Sequence, residues 1–174
     1  QVDPSGSFSI STYSGDGGTD TVGHGLSSAP TMVIIKQVNG ANNWAVYAKG
    51  AGNTKYAYLD SHVAFGTAAM WNNTTPSSSL VYLGDNNEVN ASGRTYVAYC
   101  FADTEGYCKS GGYSGNGNAD GAFVYTGFRP SFVMTKMVDG GAEWTVYDDK
   151  RDTFNESDHI LQMDIHDAER TDLD

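Results

Sequence analysis

The chain has 174 residues, with 21 Gly, 11 Tyr, 3 Trp, only 4 Pro and 18% charged residues, a composition that fits a β-rich extracellular or virion-type domain better than a cytosolic α/β enzyme. Ten basic against 21 acidic residues leave a net charge of −11, and with no basic patch to neutralise phosphates a nucleic-acid partner is excluded. No run of about 18 apolar residues occurs, which excludes a membrane-inserted helix.

Taken in chain order, the apolar segments are short, rich in Val, Ile, Tyr, Phe and Thr, and bounded by Gly, Asn, Asp and Ser. That pattern predicts strands. They are SFSIST (7–12), MVIIKQV (32–38), WAVYAK (44–49), YAYLDS (56–61), AAMWN (68–72), SLVYLG (79–84), TYVAYCFA (95–102), AFVYT (122–126), SFVMTKMV (131–138), WTVYDD (144–149) and HILQMDI (159–165). None carries a sustained apolar stripe at helical spacing, so helix should be close to absent. Only the segment from Asp158 to Arg170 could compete as a short helix.

The chain states one pattern twice. MVIIKQVNGANNWAVY from Met32 returns as FVMTKMVDGGAEWTVY from Phe132, with Lys36, Trp44 and Tyr47 matched by Lys136, Trp144 and Tyr147 at an offset of 100. Upstream, residues 12–30 parallel 112–130, so that Tyr13 matches Tyr113 and Pro30 matches Pro130. Each copy predicts a hairpin, with the Gly of Asn39-Gly40 and of Asp139-Gly140 supplying left-handed backbone for the turn. The apolar run before each turn is nearly continuous, as in a strand covered on both faces. One unit of roughly 40 residues cannot bury enough surface alone. The prediction is therefore a single all-β domain, a jelly-roll-like β-sandwich built from two related units (about 8–50 and 108–150) around a shared core. In that sandwich Trp44 and Trp144 occupy equivalent core places.

The remaining features give a short roster of candidates. Residues 139–174 hold 3 basic and 12 acidic residues, and the acidic segment 151–174 is expected to be a solvated end, less often a cation or docking site. It is also expected to continue into a longer parent protein, since the chain starts at Gln1 without Met and ends on DAERTDLD. Cys100 sits in a strand-like run and reads as a small buried hydrophobe; a Cys100–Cys108 bridge is the other reading. Asp103 and Glu105 lie two apart after a strand and are weighed as a glycosidase-type acid/base pair against a solvated turn. Asp16 to Asp20, Asn116 to Asp120, and Asp148, Asp149 and Asp152 are weighed as cation loops against ordinary turns, without the closing ligand of an EF-hand. His24, His62, His159 and His166 are scattered. His24 is expected to bond backbone. No cofactor motif is present, and neither a cofactor nor a resident metal is expected. The aromatics Trp71, Tyr107, Tyr113 and Tyr125, with Tyr56 and Tyr58, lie near Gly, Asn and Ser loops. Flat rings beside amides suit a sugar or an adaptable protein contact, so Trp71, Tyr107, Tyr113 and Tyr125 are the candidate ligand contacts.

The stretches GHGLSSAPTMVIIKQVNGANNWAVY and NASGRTYVAYCFADTEGYCKSGGYSGNGNADGAFVYTGFRPSFVMTKMVDGGAEWTVYDDKRDTFN resemble a repeat-containing domain of tail-fibre-like and other virion proteins of marine bacteriophages. The resemblance covers residues 8–156. It rests on the paired Trp-x-Val-Tyr hairpins together with the bridging YVAYCFAD-x-EGY. It implies a non-enzymatic structural or receptor-contacting module on the virion surface, with other virion subunits as partners in a homo-oligomer, a trimer by preference; the aromatic loops add a host-surface glycan as the candidate ligand. The sequence departs from that pattern after YDDKRDTFN, where an acidic tail replaces further strands. A capsid decoration protein, a stand-alone carbohydrate-binding module and a polysaccharide depolymerase using Asp103 and Glu105 are the alternatives.

Overall fold

The structure is a computed structural model and describes residues 1–118, 120–154 and 157–171. It is all-β and sandwich-like. The strands are β1 (Phe8–Ser14), β2 (Asp20–Gly23), β3 (Met32–Gln37), β4 (Ala45–Ala48), β5 (Lys55–Tyr58), β6 (Gly66–Thr67), β7 (Leu80–Leu83), β8 (Thr95–Phe101), β9 (Phe132–Thr135), β10 (Thr145–Asp148) and β11 (Leu161–Gln162). A 3-10 turn (Ala69–Trp71) and one helical turn, α1 (Asn87–Asn90), interrupt them.

The main sheet has the order β1-β8-β3-β4-β5-β6, and β2-β7 forms a two-stranded partner. First strand with eighth and second with seventh is the nested pairing of a jelly roll. Strands β4 to β6 depart from it by continuing the first sheet as a meander. The cause is local: β3 and β4 pair antiparallel across a short turn (Met32↔Ala48 to Ile35↔Ala45), which leaves no chain to cross to the other layer.

Alternation along each strand sorts the side chains into two cores. Val33, Ile35, Ala45, Tyr47, Tyr96, Ala98 and Cys100 point to one face and meet Val22, Val81, Leu83, Val89, Met70 and Trp71 from β2, β7, α1 and the 3-10 turn. Ile34, Val46 and Ala57 point to the other face, where Phe65 and Trp144 cover them. Val33, Ile35, Ala45 and Val46 have no exposed surface at all. The unbroken apolar run of β3 is thus explained by burial on both sides, each full aliphatic side chain contributing about 1.5–3 kcal/mol.

The second repeat copies the hairpin of the first. Strand β9 pairs with β10 from Phe132↔Asp148 to Thr135↔Thr145, which is the β3–β4 register shifted by 100 at every position. Strand β11 then pairs with β10 as β5 pairs with β4. The Trp44 carbonyl accepts from Leu59 N–H, and the Trp144 carbonyl from Met163 N–H. Asp60 caps Trp44 N–H at 3.1 Å and Asp164 caps Trp144 N–H at 3.0 Å. The second meander docks on the first through Trp144, whose indole N–H donates to the Tyr58 carbonyl at 2.8 Å, and through Phe65 N–H to the Val138 carbonyl.

Several expectations change. Residues 122–126 form no strand, and 122–125 lie exposed. Residues 68–72 form the 3-10 turn instead of a strand, because the chain must reverse there: Asn72 and Asn73 are left-handed at φ 48°. Residues 159–165 contribute only β11, and no helix forms between Asp158 and Arg170. Gly40 and Gly140 are not left-handed. At each, the space a Cβ would take is filled by a side chain from the end of the preceding strand, Gln37 in one copy and Met137 in the other. The acidic segment is not a free tail where it is described: Arg151 pairs with Asp148 and with Glu169, and Ile160 bridges Arg170. Its residues 155–156 and 172–174 lie outside the described residues.

Candidate functional site

The sequence candidates are dispersed. Trp71 is corrected from a surface ligand contact to a core residue. It is 1% exposed, stands edge-on to Tyr47 at 5.8 Å, and donates its indole N–H to the Lys55 carbonyl. Tyr56 and Tyr58 are half-buried against the same core. Tyr107, Tyr113 and Tyr125 are exposed, at 67%, 61% and 78%. All three lie on the connection between β8 and β9, which carries no strand among the described residues and leans on the β4–β5 turn where Gly50 meets the backbone of Gly111 and Gly112.

Asp103 holds that connection in place. Its carboxylate accepts from Thr31 Oγ1 (3.0 Å), Lys109 Nζ (2.9 Å) and Ser110 N–H (2.9 Å). Burial pushes its pKa up, but the Lys109 ammonium, the Ser110 N–H and the Thr31 hydroxyl outweigh it and hold the carboxyl below its usual range. A carboxylate so saturated is a staple for the loop. Glu105 is exposed on the following turn, and the structure does not join it to Asp103 in a cleft. Both cysteines are free; burial pushes the Cys100 thiol up to about 12, and Cys108 is half-buried.

The acidic candidates close on themselves. Asp16 accepts from Gly18 N–H and Asn90 Nδ2. The loop around Asn116 is a chain of side-chain to backbone bonds through Asn118 to Asp120. Asp148 faces Arg151, Asp149 faces Lys150, and Asp152 binds both His159 N–H and Nδ1. Among the described residues no three His, Cys, Asp or Glu converge as a metal ligand set. His24 bonds backbone as expected: Leu26 N–H donates to Nδ1, so Nε2 carries the proton and donates to the Ser77 carbonyl at 3.2 Å. Desolvation by burial pushes its pKa down. No helix of the described residues is long and apolar enough to cross a membrane.

Two surfaces escaped the sequence reading. One is a polar cleft of about 440 Å³ between the β3–β4 turn and α1, lined by Gln37, Asn42, Asn87 and Arg94 among others. The other is the outer edge of β9. Ser131 carbonyl accepts from Asp149 N–H, so in an antiparallel ladder residues 131, 133 and 135 turn their backbone groups to β10. Phe132 and Met134 therefore turn theirs outward, and among the described residues β9 pairs with no strand but β10. Exposed apolar side chains gather in this unit: Phe132 at 59%, with Phe123, Val124, Val133, Met137 and Val138. The signal was in the sequence, since the repeat equates β9 with β3. It is visible only once β8 is known to cover the edge of β3.

Comparison with curated proteins and with solved structures returns no match. Over its whole length, residues 1–174, the chain matches and belongs to the family described as a domain of unknown function, DUF7483.

Proposed function

We propose that this chain is a non-enzymatic assembly module of a virion, a tail-fibre or similar surface-appendage domain of a bacteriophage that packs with other virion subunits. The observation that carries the reading is the asymmetry of the repeat. A fully packed first unit presents a second unit of the same register whose apolar side chains and β9 edge are left open among the described residues. Monomeric proteins manage such edges by covering or charging them. An open apolar one suits a protein built to be packed against neighbours, in a homo-oligomer of cyclic symmetry. The resemblance to repeat-containing virion domains gives this packing its setting.

A second reading has its own observation. Tyr107, Tyr113 and Tyr125 stand exposed among Gly, Asn and Ser, a mixture suited to stacking on a host-surface glycan, whether on an appendage or in a stand-alone binding module. Sedimentation velocity on purified 1–174 across a wide concentration range, with a glycan array in parallel, separates the two. A stable oligomer, trimer by preference, supports the appendage module. A concentration-independent monomer that binds a glycan and loses it on Tyr107→Ala with Tyr125→Ala overturns it in favour of the binding module.

A further inference from the structure

We infer that the polar cleft between the β3–β4 turn and α1 is a binding site for an acidic sugar, a hydroxylated ring that carries a carboxylate. The site lies on the first unit, shares no residue with the exposed tyrosines of the β8–β9 connection, and does not rest on the assembly reading.

The cleft is held in shape by the protein's own bonds. One wall is the β3–β4 turn; the other is α1 and the turn that leads into β8. Val38 N–H donates to the Thr95 carbonyl, Thr95 N–H to Asn39 Oδ1 at 3.1 Å, and Asn42 Nδ2 to the Asn87 carbonyl at 2.7 Å, so each wall fixes the other. The volume of about 440 Å³ lies within the roughly 300–1,000 Å³ of small-molecule sites. Gln37 lines the cleft while only 4% exposed. Its Nε2 donates to Asn39 Oδ1 at 3.3 Å, and its Oε1 meets no donor among the described residues. Only what enters the cleft, solvent or ligand, can supply one. The hairpin itself does not need this amide. In the second copy Met137 curls over Gly140 as Gln37 curls over Gly40, Ala142 stands in the place of Asn42, and the register is the same. The polar lining is therefore an addition of the first unit that strand pairing does not explain.

The free groups of the lining specify the ligand. Asn42 Nδ2 is committed to the Asn87 carbonyl, which leaves Asn42 Oδ1 as an acceptor beside Gln37 Oε1. The side chains of Asn87 and Ser92 are exposed at the rim. Arg94 is the one charged residue of the lining, and among the described residues its guanidinium pairs with no carboxylate. Amide oxygens call for hydroxyl donors. A guanidinium fork calls for a planar carboxylate, which it binds in two parallel bonds. No aromatic ring lines the cleft, so it offers a nucleobase nothing to stack on. The acidic excess of the chain is concentrated in residues 139–174, none of which lines the cleft. A uronic acid unit meets all of these terms at once: ring hydroxyls for the amides and a carboxylate for Arg94.

The probe is methyl glucuronide, titrated into the intact protein and followed by NMR at the side-chain amides of Gln37, Asn42 and Asn87 and at Arg94 Nε–H. Methyl glucoside, which lacks the carboxylate, and acetate, which lacks the hydroxyls, are the controls. Saturable shifts at these groups are expected, with affinity roughly tenfold or more above that for either control. Arg94→Gln should weaken binding roughly tenfold or more, and Gln37→Met about threefold or more. Arg94 is exposed, and Gln37→Met installs the residue that the second hairpin already carries, so both variants are expected to fold. Tyr107→Ala with Tyr125→Ala should leave this binding unchanged. The inference is overturned by the absence of saturable shifts at these groups, or by undiminished binding in both cleft variants. Acetate binding as tightly as the glucuronide would reduce the cleft to an adventitious anion site, and methyl glucoside binding as tightly would show that Arg94 reads no carboxylate; either result sinks the proposed ligand. Shifts confined to Tyr107, Tyr113 and Tyr125 would move sugar binding to that loop and remove the cleft from it. The outcome is separable from the assembly reading, because glucuronide that docks on either an oligomer or a monomer leaves the cleft site standing.

Discussion

The two meanders of this chain share a register and differ in almost everything around it. Strands β3 and β4 lie between two apolar layers and have both edges of their pair covered; among the described residues β9 and β10 have one apolar layer, and β9 pairs with no strand but β10. Local sequence, an apolar run, a Gly turn and Trp-x-Val-Tyr, is therefore enough to set the pairing of a hairpin. What turns that hairpin into a packed sandwich is non-local, the arrival of β7 and β8 from elsewhere in the chain. The two tryptophans show how context re-ranks equal positions. Trp144, from the less complete unit, is 4% exposed because it is wedged between the units, while Trp44 is half-buried, stacked on Tyr99 at 6.2 Å.

The largest effect expected is at that wedge. Trp144→Ala removes an aromatic side chain packed on Phe65 and an indole N–H bond to the Tyr58 carbonyl. It should cost about 3–5 kcal/mol in urea denaturation, while Trp44→Ala costs clearly less. Equal losses at the two positions would show that the units do not rely on Trp144 for docking.

The next comparison tests how far burial differs across the repeat. Ile35→Ala, in a fully buried position of β3, should cost about 2–5 kcal/mol. Val133→Ala, on the open unit, should stay within about 0.5 kcal/mol. A large loss at Val133 in the isolated protein would mean that its exposed face is covered in solution.

Most strands of both units were legible because their signals are local. Period-two apolar patterns and turn residues placed β1, β3, β4, β5, β7, β8, β9 and β10 within a few residues. The nearly continuous run at Val33 to Ile35 announced burial on both faces. Strand β2 escaped because DTVG is short and half polar, and becomes a strand only by pairing with β7. Segment 122–126 has the composition of a strand and lacks the partner. Trp71 looked like a loop aromatic because Asn and Thr follow it; its side chain is turned inward by a 3-10 turn that no periodicity marks. The repeat was readable, but which strands flank each copy was not, because strand pairing is long-range and the sequence pattern is local.

The smallest effects expected are in titration, where the two units again diverge. His24 lies against the first core with Nδ1 accepting from Leu26 N–H, so protonation there would set donor against donor. Burial accordingly lowers its pKa below the ordinary 6.5. Because the unfolded chain binds the proton first, the stability His24 contributes is complete above about 6.5 and is lost as pH falls below that value. His159, in the second unit, works the other way. Its Nδ1 contacts Asp152 at 2.6 Å, and this hydrogen bond raises the imidazole pKa while His159 lowers that of Asp152. The His159 contribution is present below 6.5 and lost as pH rises through the raised folded value. The Asp152 contribution is present above the usual carboxylate range and lost as pH falls through its lowered one. The pair sits at the surface, half-buried and partly screened, and should move overall stability little, so the check is a residue-resolved NMR titration of the imidazole rings. His24 should titrate below 6.5 and His159 above it, with Asp152→Asn returning His159 toward 6.5 and leaving His24 unmoved. A His24 that titrates normally would mean that the first unit opens at that loop in solution, and would remove the contrast in packing on which the comparison of the two units depends.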